Sequence, residues 1–145
     1  MTQVVELEIP ALPEFVGIAR MAVAALAGVR PGLEYDRVDD LRIVVSEACT
    51  SAIEAFGASG ADGPARVRLR CHDGPDRLEV AIAGPTGAFD SAVAGPESDT
   101  DGEFRISLIR ALVDEADVSA TATGSELRLV LFRQTVSGSN GDLSA

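Results

Sequence analysis

An antiparallel α+β sandwich, with helices gathered on one face of the sheet, is the fold class that this sequence predicts. Alternating apolar and polar residues appear in two pairs of runs, each joined by a Gly-containing turn, over 66–82 and 118–132. Such pairs read as hairpins with one buried and one wet face. Apolar residues at helical spacing precede each hairpin, twice before the first and once before the second. Strands joined by hairpins, with helices elsewhere, exclude a sheet built from parallel crossovers. A length of 145 residues suits one such domain, and no internal repeat or linker divides it.

Val4 to Ile9 alternates apolar and acidic residues and stops at Pro10, a short strand. Pro13 to Ala27 is rich in Ala, Val, Ile and Met, with Pro at its start and Gly28 beyond its end, a helix. Pro31-Gly32 marks a loop. Asp36 is the expected N-cap of the strongest helix, and Asp39 and Asp40 add negative charge where its dipole favours it. Val38, Leu41, Val45, Ala48, Ala52 and Phe56 form its core stripe, which runs to Gly57. Glu47, Ser51 and Glu54 fall on a different, polar face.

In the first hairpin Val67, Leu69 and Cys71 share one face and Arg66, Arg68 and Arg70 the other. After Gly74-Pro75 the alternation resumes at Leu78, Val80 and Ile82. The arginine row reads as the solvated face of a sheet, neutralised in part by Glu79 and Glu126, rather than as a nucleic-acid surface. Gly84 to Gly102 has no period and is expected to be a mobile lid. Phe104 to Glu115 predicts a helix with Phe104, Leu108, Ala111 and Leu112 on its buried side. Val118–Thr123, a turn at Gly124-Ser125, and Glu126–Phe132 predict the last hairpin. Residues 1–133 are expected to form the domain and 134–145 a disordered polar tail.

Composition narrows the chemistry. Hydrophobic residues make up 46% of the chain, enough for a globular core. No apolar run approaches the roughly 20 residues that span a bilayer, and Met1-Thr2-Gln3 lacks the start of a signal peptide. A cytoplasmic protein without a membrane partner is the expectation. Cys49 and Cys71 sit in apolar patterns and read as buried thiols. The single histidine, His72, has no ligand-like neighbours, which argues against zinc. The net charge of −11 repels phosphate backbones and suits a basic protein partner rather than direct nucleic-acid binding. The chain has no lysine, which removes P-loop, Schiff-base and kinase-strand lysines together.

The stretch Val44-Val45-Ser46-Glu47-Ala48-Cys49-Thr50-Ser51-Ala52-Ile53-Glu54 resembles the N-box helix of anti-sigma switch kinases, whose pattern there is Val-Ser-Glu-x-x-Thr-Asn-Ala-Ile. The opening strand to Ala11-Leu12, the helix with Ala19-Arg20, and Leu108–Glu115 followed by a hairpin match the same family, up to about Arg133. The resemblance implies a GHKL ATPase-type two-layer sandwich. It also implies a sigma factor or a STAS anti-anti-sigma protein as partner, a homodimer, and ATP or ADP with Mg²⁺ as the family's cofactor. In the family, the glutamate at the Glu47 position is the general base that polarises the attacking hydroxyl, and the asparagine at the Ser51 position binds Mg²⁺. The arginine at the Arg20 position lies on the surface that docks partners.

The same resemblance exposes departures from the nucleotide boxes. The family's Asp-x-Gly-x-Gly box falls here on Gly84, Thr86 and Ala88, so the adenine-reading carboxylate and both glycines are replaced. The Gly-x-Gly box at the start of the last helix falls on Glu103 and Arg105, and Glu103 sets a negative charge where phosphates should sit. Ser51 is a shorter, geometrically different metal ligand than asparagine. Two functions follow as expectations. One is a binding module that sequesters a sigma factor or a STAS protein without nucleotide and needs no cofactor. The alternative is an ATP-dependent serine/threonine kinase that phosphorylates an anti-anti-sigma factor. Nucleotide binding separates them.

Overall fold

A computed structural model describes residues 2–59, 65–89 and 108–134. Strand β1 (Gln3–Pro10) leads through a single 3-10 turn, Pro13–Phe15, into helix α1 (Val16–Ala27). Helix α2 (Tyr35–Ser59) follows, then the hairpin of β2 (Arg66–Asp73) and β3 (Arg77–Gly84). Residues 108–112 are helical, and β4 (Glu115–Thr121) and β5 (Gly124–Phe132) close the domain. The five strands form one sheet in the order β1-β2-β3-β5-β4, with every neighbouring pair antiparallel. The α+β sandwich with an antiparallel sheet is thus the observed class.

Side-chain alternation decides which face meets the helices. Leu7, Leu69, Ile82, Leu127 and Val118 stand opposite one another across all five strands. With Val67, Val80, Leu129 and Leu131 they make the inner face of the core. Helix α2 covers it with Leu41, Val44, Val45, Ala48, Cys49 and Ala52, all fully buried, and α1 adds Ala19, Val23 and Ala27. The predicted stripe of α2 is therefore the core stripe, with Val38 and Phe56 half-buried at its ends.

The outer face carries the charge. Arg70 pairs with Glu6 at 3.1 Å, and Arg66 and Arg68 each reach Glu8 at 3.4 Å. The partners of this row thus come from β1, whereas Glu79 is held by Arg128 at 2.8 Å. The register explains the difference, because Glu6 and Glu8 stand directly opposite Arg70 and Arg68.

Other boundaries moved for local reasons. Helix α2 begins at Tyr35, and the Glu34 carbonyl accepts the first bond from the Val38 amide, so Asp36 lies in the first turn and is not the cap. The β4–β5 turn falls on Ala122-Thr123, because Thr121 pairs with Gly124. The last helix ends by 112, and Glu115 already pairs with Val130 in the sheet. Ile109 is its fully buried residue, Leu108 and Leu112 are half-buried, Ala111 is exposed, and Val113 just beyond the helix is buried. Phe104 lies outside the described residues.

Candidate functional site

The site is built where the middle of α2 meets the end of β3. Glu47 and Ser51 are one turn apart on α2; Glu47 is half-buried and Ser51 is buried, not on a solvated face. Glu54, one turn later, is exposed. Hydroxyls line this part of the helix: Ser46 Oγ donates to the Arg42 carbonyl at 2.9 Å and Thr50 Oγ1 donates to the Ser46 carbonyl at 2.8 Å. Arg20, exposed on α1, donates from Nη1 to Ser46 Oγ at 3.2 Å. That bond holds the arginine against α2, one residue from Glu47.

Gly84 closes the other side. A Cβ built on it would meet Ala52 Cβ of α2 at 3.3 Å, Ala88 Cβ at 3.0 Å and Phe89 Cε2 at 3.4 Å. Gly84 is thus packed against the residue that follows Ser51. The chain then turns tightly. The Pro85 carbonyl accepts from the Ala88 amide at 3.1 Å and from Ser125 Oγ at 2.8 Å. Between them Gly87 takes a φ of 87°, a conformation open to glycine at the third position of such a turn. Gly124 is needed for the same crossing, since a Cβ there would run into the Gly84 carbonyl.

This turn delivers Phe89 to the interior, where it is fully buried and ranks with the largest core side chains. The expected lid therefore begins with Gly84 at the end of β3 and a tight turn over 85–89 in which Thr86 and Gly87 are exposed, Ala88 packs against the core and Phe89 belongs to it. Sequence reasoning missed Phe89, although an aromatic alone in a Gly/Pro/Ser stretch was a legible signal. The remainder of the expected lid, with Glu103 and Arg105, lies outside the described residues. Among the sequence-derived positions, Glu47 and Ser51 share α2, Gly84 and Ala88 lie together beside Ala52, Thr86 is exposed at the turn, and Arg20 is bonded to Ser46, the residue before Glu47.

A second cluster, which sequence reasoning also missed, lies at the far end of the sheet. Arg133 is fully buried and donates to Asp73 at 2.7 Å and to the carbonyls of Ala27 and Arg30 at 3.1 and 2.9 Å. Arg30 holds the second Asp73 oxygen at 3.0 Å. Strand β5, the β2–β3 turn and the α1–α2 connector are thereby tied together. No group of His, Cys, Asp and Glu suited to a metal ion occurs among the described residues. No helix among them is long and apolar enough to cross a membrane.

Residues 9–131 match the model of the histidine kinase-like ATPase domain. The serine-protein kinase RsbW of Bacillus pumilus (strain SAFR-032) is 37% identical over 131 residues, covering 81% of this chain and 79% of that protein. RsbW of Bacillus licheniformis (strain ATCC 14580) is 35% identical over 126 residues, with 79% and 76% covered. RsbW of Bacillus subtilis (strain 168) is 40% identical over 86 residues, with 59% and 52% covered. The domain match spans β2 to β5, both long helices and the Gly84 turn, and with these relatives it establishes that the chain belongs to the histidine kinase-like ATPase family, in the group of anti-sigma factors and serine kinases of the partner-switching type.

Proposed function

We propose that this protein regulates by protein contact alone: it binds a sigma factor, a STAS anti-anti-sigma protein, or both, and has lost its nucleotide. The observation that carries this reading is the packing around Gly84, where Ala88, Ala52 and Phe89 stand within 3.0–3.4 Å of a built Cβ and would have to give for a side chain to fit. The family's adenine-reading carboxylate would have to grow into that space. A site that hydrogen-bonds adenine discriminates through that acceptor, so its loss removes both affinity and selectivity. Ser51 adds to the deficit, because its short, buried hydroxyl replaces the metal-binding amide. Without a cation and a seated triphosphate, Glu47 has no phosphoryl group to act on.

Arg20 is the residue proposed to meet the partner. It is exposed, held by Ser46 and next to the half-buried Glu47, with Ile18 and Met21 exposed on the same helix. A planar guanidinium suits a partner carboxylate. The test is two-armed. Calorimetry with Mg²⁺ and ATP or ADP should show no binding at sub-millimolar concentration. Purified sigma factors and STAS proteins of the source organism, titrated one by one, should yield a binder that Arg20→Ala weakens by about 2–5 kcal/mol, with the melting temperature little changed. Binding of ATP and phosphate transfer to a STAS protein would promote the second reading, a serine kinase. One observation favours that reading, the retention of Glu47 one turn from Ser51 on α2.

A further inference from the structure

Helices α1 and α2 meet along a seam on which Arg20, Ala24 and Gly28 follow one another at four-residue steps, as do Val38, Arg42 and Ser46. The Arg20–Ser46 bond closes one end of this seam. At the other end the seam opens into a groove of about 680 Å³. Ala24, Gly28, Leu33 and Val38 supply its apolar lining, and Glu34, Tyr35, Asp36 and Arg42 its rim. Tyr35 is 89% exposed and Val29, in the connector beside it, is 68% exposed. Large apolar side chains this exposed on one short segment are candidates for a contact surface.

The connector is also held in place. Arg133 donates to the carbonyls of Ala27 and Arg30, and the Gln134 amide donates to the Gly32 carbonyl at 2.9 Å. Gly32 itself takes a φ of 112°, and a Cβ there would meet Arg133 Cβ at 2.8 Å. A fixed backbone that presents an exposed tyrosine loses little entropy when a partner arrives. The charge of the rim selects what arrives. Arg42 is occupied by Asp39 at 3.0 Å, while Glu34 and Asp36 have no ion pair among the described residues. Two carboxylates without an ion pair among the described residues flank an apolar floor.

We infer that this groove docks a helical segment of a protein partner whose contact face joins an apolar side chain to a lysine or arginine. The apolar group enters between Ala24, Gly28 and Val38 and packs on Tyr35, and the cation meets Glu34 and Asp36. The inference deepens the regulator reading, since the groove continues the seam that begins at Arg20, and it names a second and electrostatically opposite contact on the same two helices.

The test titrates the ¹⁵N-labelled full chain with two amphipathic helical peptides, one of Leu, Ala and Arg and one of Leu, Ala and Glu. Amide shifts should gather at Ala24, Gly28, Leu33, Tyr35 and Val38 with the basic peptide alone. Gly28→Leu should weaken that binding by about tenfold, because it fills the floor. The variant is expected to fold, since Gly28 has a helical φ and a Cβ there makes only ordinary contacts, 3.6 Å or more. Glu34→Gln with Asp36→Asn should weaken it by about fivefold and flatten its salt dependence. Shifts spread over the charged outer face of the sheet, or unchanged affinity in Gly28→Leu, would overturn the inference. Shifts of the same amides with protein concentration alone would overturn it too, by giving the groove to a second copy. Peptide shifts at the groove without any sigma or STAS binder would sink the regulator reading and leave the groove standing. A binder weakened by Arg20→Ala but indifferent to Gly28→Leu would sink the groove alone.

Discussion

A Cβ at residue 84 needs room that Ala88 occupies, and the two positions are therefore coupled. Gly84→Asp should destabilise the fold by about 1–3 kcal/mol, the usual range for overpacking, in urea unfolding. Adding Ala88→Gly should recover part of that loss, because it removes the 3.0 Å contact. Equal stability of Gly84→Asp and the parent would mean that the turn yields freely. The two cysteines are defined by the same interior. Burial pushes the Cys49 thiol up to about 12. Burial, with the charge of Asp73 adding to it, pushes Cys71 up to about 11. Thiolate is the reactive form, so a thiol reagent at pH 8 should label neither cysteine in the native protein and both in urea. The linkage has a definite sign. The fold favours the neutral thiol, so this contribution is intact below the unfolded value of about 8.5 and is lost as pH climbs towards the folded values. The urea midpoint should fall as pH rises above about 9, and a midpoint that rose there would contradict the assignment.

Elements were legible where a single period ran without interruption. The stripe of α2 and the alternation of β2 and β3 depend only on which side chains face the core, and each is read from neighbours in sequence. The end of the last helix was not legible, because Glu115 suits a helix by propensity and is drawn into the sheet by its pairing with Val130. The Arg133–Asp73–Arg30 cluster was hidden for a stronger reason, since its members come from three elements and carry no shared period. Its energetics are uneven. Arg133 is completely buried and serves several acceptors, whereas the Arg30 side chain keeps 27% of its exposure and Asp73 would retain Arg133 without it. Arg133→Met should therefore cost about 3–5 kcal/mol, the range for breaking a buried pair. Arg30→Ala should cost about 1 kcal/mol or less. Chemical denaturation of the two variants checks the ordering, and a larger loss for Arg30→Ala would show that the connector, not the buried pair, is the anchor.

At the scale of the molecule, the sandwich and its helix face were legible, and so was the placing of Glu47 and Ser51 one turn apart on α2. The contact of Gly84 with Ala52 and Phe89 was less so: Phe89 stands out as a lone aromatic, but its stretch has no period to say that the Pro85–Ala88 turn buries it. This fixes how the nucleotide deficit should behave. The proposed losses act on one ligand at separate places: the metal ligand at 51, the adenine acceptor at 84, the backbone approach at 86 and 88, and the phosphate cradle at 103 and 105, the last two outside the described residues. Restoring Asn at 51, Asp at 84 and Gly at 86, 88, 103 and 105 together should recover weak ATP binding in calorimetry with Mg²⁺, while each single reversion should recover none. The asymmetry has a physical cause. A carboxylate at 84 cannot be seated until Ala88 gives way, and a seated adenine gains little while the phosphates still meet Glu103 and lack a cation. Each correction is thus worth little until the others are made, which is the non-additivity expected of groups that share a ligand. Measurable ATP binding by the Ser51→Asn variant alone would overturn this account, for it would mean that adenine and phosphates already have their places and that only the metal was missing.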